Sequence, residues 1–300
     1  MDFKTVKLLK APAKRDARNL KLAGLLKKLP PLAAEFNCDS CFPFPIPTPM
    51  FGNDQLGDCV IAGRAHQTLR FEAFEQSKAI PISDQDAVDE YFSESGGQDS
   101  GLVLLDSLKE WRKKGWLAAG ERYNAFGFAE LDRSKHAEIT ASIYFLRGAN
   151  IGLQLPLSAQ SQIANGEIWD VTEDPNFDPY GPAAPGSWGG HCVYLVAYDP
   201  AGPVCVTWGQ LQQMTWAFFD ADCDEAYGIV QNREAFVAGS PVDVALLEQE
   251  IAEITGQAPP APTPPQPVPP SPPAPPSPVP TPTKDEMAKV GNWLVEQSNA

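Results

Sequence analysis

Positive charge, cysteine and histidine are all scarce in this chain. Lys and Arg number 23 against 38 Asp and Glu, giving a formal net charge of −15. Binding to phosphate backbones needs clustered positive charge, so a nucleic-acid partner is not expected. Six cysteines in 300 residues are too few for a disulfide scaffold. The N-terminal stretch is interrupted throughout by Lys and Arg, so no secretory signal is evident and a reducing, cytoplasmic location is expected. No run of 18 apolar residues occurs, and no membrane span is expected. Glycine-rich phosphate loops are missing, and Gly186-Ser187-Trp188-Gly189-Gly190 is no nucleophile elbow. The lone Cys38-Asp39-Ser40-Cys41 lacks two further ligands for zinc, which leaves chance spacing or a redox-labile pair. The acidic run Asp220, Asp222, Asp224 and Glu225 lacks calcium-loop spacing and reads as a solvated helix face. Neither a metal nor a cofactor is expected.

The charge that is present is unevenly placed. Residues 1–28 hold nine Lys or Arg against Asp2 and Asp16, a balance of +7, which leaves −22 on the remainder. Residues 1–31 therefore read as a basic leader, partly helical, able to lie on an acidic body or occlude an acidic cleft. Prolines recur through residues 31–51, an extended surface crossing. The globular domain is placed at 32–256. Residues 257–283 form a linker, with 15 prolines in the 26 residues from 258 to 283, a composition that favours polyproline II. Residues 284–300 carry Met287, Val290, Trp293 and Leu294 at helical spacing, a short helix or docking peptide for a protein partner.

Inside the domain, helices are predicted over 59–77, 83–94 with Ser83 as N-cap, 101–114 and 135–147. Strands are predicted at Ile151–Pro156, Cys192–Tyr198 and Val204–Trp208, rich in branched residues. Helices followed by strands imply an α+β fold.

Cys59 opens the first predicted helix after the polar, glycine-marked Gly57-Asp58, where a helix N-terminus favours a thiolate. Of the three histidines, His66 lies seven residues along that same helix, a rise of about 10 Å that rules out a hydrogen bond to Cys59. His136 sits in a polar run and reads as solvated. His191 follows two glycines and starts a strand, which makes it the candidate base.

The segment Gly52-Asn53-Asp54-Gln55-Leu56-Gly57-Asp58-Cys59-Val60-Ile61-Ala62 resembles the nucleophile segment of papain-like cysteine peptidases. Gly190-His191-Cys192-Val193-Tyr194-Leu195-Val196-Ala197-Tyr198 resembles their histidine strand, and Val206-Thr207-Trp208-Gly209 stands where they carry Asn-Ser-Trp-Gly. These anchors span residues 52 to 209 in family order, with Gly96-Gly97 and Lys113-Lys114-Gly115-Trp116 between them. The resemblance implies a helical half and an antiparallel, barrel-like β half with the active site in the cleft between them. It implies peptide or amide hydrolysis through a Cys59 thioester, with His191 as base and a peptide or protein as substrate. The backbone N–H of Cys59 and the side chain of Asn53, or alternatively Gln55, would hold the oxyanion, and Trp208 would shield the histidine. The family's orienting Asn is missing: alignment on Trp208 puts Val206 there, whereas the family's spacing favours Thr207, whose hydroxyl can accept from the imidazole. That departure keeps open a second reading, a weakly active or inactive papain-fold binding or assembly protein tethered by its Pro-rich tail.

Overall fold

The computed structural model describes residues 1–25, 32–172 and 178–231. The Pro-rich linker and residues 284–300 lie outside the described residues. The chain begins with an N-terminal segment, Met1–Leu25, of which only α1 (Leu22–Leu25) is helical. The leader, expected to be partly helical, is therefore mostly irregular, with many of its basic side chains paired to acids of the body. Residues 32–51 cross the surface with only β1 (Phe36–Asn37) and a 3-10 turn at Cys38–Cys41. That turn is pinned by Arg70, whose guanidinium donates two hydrogen bonds to Asp39. Cys38 is buried, Cys41 is exposed and both are free thiols. Among the described residues no group of three or more metal-ligating side chains comes together.

The long helix α2 (Cys59–Gln76) is buried from Cys59 to Ala73 on all its faces. A helix covered all round belongs inside a core, and its polar residues find partners there. Arg64 pairs with Glu90 and Glu94 of α3 (Asp84–Glu94) and with Ser107 of α4 (Leu104–Lys114). Ser83 caps α3 as predicted, completing a capping box with Asp86. The hairpin β2 (Trp116–Ala118) and β3 (Glu121–Tyr123) follows α4, and Trp116 donates from its indole to Thr68 of α2.

The second half is an antiparallel sheet. In chain order it contains β4 (Gly127–Glu130), β5 (Ala149–Leu155), β6 (Gly189–Tyr198), β7 (Pro203–Thr207), β8 (Gln210–Gln213) and β9 (Cys223–Val230), ordered β4-β9-β5-β6-β7-β8 in space, with β1 on β6. Among the described residues the pairing does not close into a barrel. Helices α5 (His136–Phe145), α6 (Leu157–Ala164) and α7 (Trp216–Asp222) contribute Ile139, Ile143, Ala159, Ile163, Phe218 and Phe219 to the core on one face, with Val193 and Leu195 of β6. Alternation along the strand sends Cys192 to the other face, into the core of α2. The sheet thus separates two cores, and the beginning of β6 meets the beginning of α2.

Candidate active site

Three elements converge at that meeting point. The N-terminus of α2 supplies Cys59, the start of β6 supplies His191, and the end of β7 supplies Thr207. All three side chains are buried. The His191 Nε2 lies 2.8 Å from the Thr207 hydroxyl. The spacing argument for Thr207 therefore places an oxygen on the imidazole, while Val206 is a core residue packed with Tyr194 and Val196.

Trp208 lies flat on the His191 ring, with centroids 4.2 Å apart and planes 10° from parallel. Its position comes from the turn between β7 and β8. Thr207 pairs with Gln210, so Trp208 and Gly209 form a two-residue hairpin loop, with φ of +43° and +74°. Such turns need positive φ at both central residues, and Asn-Gly is the usual choice. An indole in the left-handed region is strained. Here the strained residue covers the imidazole on one side and packs against Trp188, Trp169 and Phe3 on its others.

The Cys59 sulfur accepts from the backbone N–H groups of Cys192 and Val60, which puts the thiol beside the peptide that follows His191. Burial dominates its acidity, however, and pushes the thiol up to about 12, with the Asp58 carboxyl adding to the rise and Lys10 opposing it. Burial likewise pushes His191 down to about 3, with Lys10 adding to the fall. His191 Nδ1 is buried without a hydrogen-bond partner. The two groups are therefore brought to one place but stand as a neutral thiol and a neutral imidazole rather than an ion pair.

The predicted oxyanion residues divide. Asn53 is buried, but its amide donates to the Asp58 carboxylate at 2.9 Å and to the Leu56 carbonyl. Gln55 is exposed. His66 is buried against Phe51, away from the chemistry, and His136 is a surface residue stacked on Trp216 and paired with Asp220.

Residue reasoning along the chain missed Asp58. Its carboxyl is fully buried, and burial raises it from an ordinary 3.8 to about 7 despite the Asn53 hydrogen bond. The acidic run divides: Asp220 and Asp222 lie on α7, Asp220 exposed as expected and Asp222 buried, whereas Asp224 and Glu225 belong to β9 and Glu225 is buried. The short apolar run Ala226–Val230, ending in the branched Ile229 and Val230, was the available signal.

The N-terminal segment occupies the groove between the two halves. Leu9 makes a parallel bridge to Gly190, and Lys10 N–H donates to the Gly190 carbonyl at 3.0 Å. Ala11 N–H donates to the Leu102 carbonyl at 2.9 Å, on the helical side. Glycines make this close approach possible. A Cβ on Gly101 would stand 1.6 Å from the Leu9 carbonyl oxygen, and one on Gly57 would stand 2.5 Å from the Leu9 side chain. Basic residues of the segment pair with acidic residues of the body: Lys7 with Asp99, Lys10 with Asp224 and Glu225, Lys14 with Asp106, and Lys21 with Glu130.

No family model matches the sequence, and no curated protein matches it. Solved structures do. Xylellain, a cysteine protease from Xylella fastidiosa, superposes with a TM-score of 0.55 at 13% identity, covering 76% of this chain and 97% of that one. A cysteine protease of Carica candamarcensis gives a TM-score of 0.47 at 12% identity, over 67% of this chain and 100% of its own. Digestive procathepsin L 3 of Tenebrio molitor gives 0.47 at 12% identity, over 76% and 77%. A helical half around α2, an antiparallel half around β6 and the superposition on xylellain lead to one structural assignment: the chain has the papain-like fold.

Proposed function

We propose that the protein is a cysteine-dependent hydrolase of peptide or amide bonds, held latent by its own N-terminal segment. The observation that carries this reading is the convergence of Cys59 at a helix start, the His191 strand and the Thr207 hydroxyl on the imidazole. With the segment displaced, water reaches the groove and the desolvation that keeps both groups neutral is relieved. The thiol proton then passes to Nδ1 of His191, while the Nε2 hydrogen is held by Thr207. The Cys59 thiolate attacks the substrate carbonyl carbon, forming the C–S bond. The first-turn N–H of Cys59 is positioned to stabilise the developing oxyanion. Collapse breaks the C–N bond, and His191 gives its proton to the leaving amine. His191 next takes a proton from water, the resulting hydroxyl displaces sulfur, and the acid product leaves.

A second reading, a peptide-binding scaffold without turnover, draws on one observation: the Asn53 amide is committed to Asp58 and Leu56. Hydrolysis separates the two. The full-length Lys10→Glu protein, in which like charges expel the segment from Asp224 and Glu225, is assayed on fluorogenic peptides spanning all residue classes. Turnover that disappears in Lys10→Glu/Cys59→Ser supports the hydrolase. No turnover, with the segment demonstrably released to limited proteolysis, leaves the scaffold.

A further inference from the structure

Lys10 is the odd residue in the groove. Its side chain is fully buried, although a lysine side chain normally stays in water. Its ammonium lies 3.0 Å from Asp224 Oδ2 and 2.8 Å from Glu225 Oε1, and it donates to the Ala11 carbonyl at 3.1 Å. Burial alone would pull its pKa down, but the two carboxylates outweigh that and raise it, so the group stays charged.

The receptacle belongs to the body, not to the segment. Asp224 and Glu225 are neighbours on β9, and Gly152 faces them from β5, paired with Glu225. Gly152 creates the space: a Cβ there would stand 2.2 Å from Lys10 Cε and 2.4 Å from Asp224 Oδ1. Gln154, two residues along β5, donates its amide to Asp224 Oδ2 at 2.6 Å and fixes that carboxylate. The pocket opens directly onto the candidate chemistry, because the backbone of Lys10 bonds Gly190, the residue before His191.

We propose that this Gly152-Asp224-Glu225 pocket is a specificity site, which admits a lysine or arginine side chain of a peptide passing through the groove and which Lys10 fills in the latent chain. The inference rests on the groove being the substrate groove, as proposed above. Its physical basis is local. Two adjacent carboxylates, one of them buried, repel each other unless hydrated or neutralised, and an entering cation relieves that cost. An apolar side chain of the same length would strip their water and leave them unpaired. That penalty corresponds to roughly 10–100-fold in affinity. Asp224 Oδ1 has no hydrogen-bond partner beside the lysine, so the forked guanidinium of arginine has an acceptor to use.

The test uses the full-length Lys10→Glu protein, in which like charges expel the segment from its own pocket. A fluorescent peptide with the sequence of residues 6–15 is titrated by anisotropy. Matching peptides carry arginine or norleucine at the position of Lys10. The expected result is at least tenfold tighter binding of the lysine and arginine peptides, with the difference lost when Asp224→Asn and Glu225→Gln are added. Norleucine binding as tightly as lysine overturns the proposal, as does discrimination that survives the two neutral substitutions. Failure of every peptide to bind overturns it too, once proteolysis shows the segment released. Where Lys10→Glu does not fold or keeps its segment bound, the same titrations are run on Lys7→Ala/Lys10→Ala/Lys14→Ala, which removes the segment's ion pairs with Asp99, Asp224, Glu225 and Asp106 and leaves the groove and its acids untouched. Binding does not require turnover, so Cys59 reactivity reports separately on the hydrolase reading.

Discussion

Burial sets the protonation of each group around Cys59, and this makes single residues testable. Asp58 is raised to about 7, so the folded state holds its proton more tightly than the unfolded chain does. Its contribution to stability is complete below the ordinary carboxylate range and is lost as pH rises through about 7. Asp58→Asn keeps the Asn53 contact through the amide oxygen and removes the buried charge. Its stability is expected to match wild type near pH 4 and exceed it at pH 8 by about 1–3 kcal/mol, which thermal melts across that range will check. The same change removes one cause of the high Cys59 pKa. His191, pushed down to about 3, acts in the opposite direction: its contribution is present at neutral pH and is lost as pH falls below its ordinary 6.5. Thr207→Val deletes the oxygen 2.8 Å from Nε2. In the Lys10→Glu background it is expected to lower kcat about tenfold with little change in KM, as befits a hydrogen bond that steadies the imidazolium. Of these residues, Cys59, His191 and Thr207 were legible because helix starts, strand starts and residue spacing are written along the chain. Lys10 and Glu225 were not, because their meaning depends on an ion pair between residues more than two hundred positions apart.

At the scale of elements, the helices and strands were readable where local chemistry decides. Ser83 starts a helix by its own side chain, and α3 falls where the capping box puts it. The predicted helix over 101–114 begins instead at Leu104, because the Gly101 N–H donates to the Tyr91 hydroxyl and the Leu102 carbonyl accepts from Ala11. The leucines near residue 22 suggested a helical leader, but tertiary contacts override a weak propensity, and outside Leu22–Leu25 the segment is irregular. Its hold on the body is partly electrostatic. The pairs Lys7–Asp99, Lys14–Asp106 and Lys21–Glu130 are partly or largely exposed and are screened by salt, whereas Lys10 is not. Raising salt from about 0.05 to 0.5 M, where the screening length falls below 10 Å, is expected to speed limited proteolysis within residues 1–25 severalfold. In the Lys10→Glu protein the segment is expected to be cut quickly at both salt concentrations.

Across the whole molecule, a segment of charge +7 by residue 28 meets a remainder of −22, and the groove between the two halves is where the segment's backbone crosses. The sheet keeps two hydrophobic cores apart, and the beginnings of α2 and β6 meet at their margin, with Cys59 and Cys192 in one core and Trp208 in the other. Cys59 and His191 are both buried there, and burial disfavours their charged forms. In the proposed reading, latency and chemistry are two states of one surface, distinguished by whether residues 8–11 lie in it. The most direct measurement is the rate of Cys59 alkylation by iodoacetamide between pH 5 and 9, mapped by mass spectrometry, in wild type, Lys10→Glu and Lys10→Glu/His191→Ala. The account predicts negligible labelling in wild type throughout, fast labelling already near pH 6 in Lys10→Glu, and loss of that low-pH reactivity when His191 is removed. Labelling of Cys59 in Lys10→Glu that is no faster than at Cys41, the exposed thiol, or that is indifferent to His191, would contradict it.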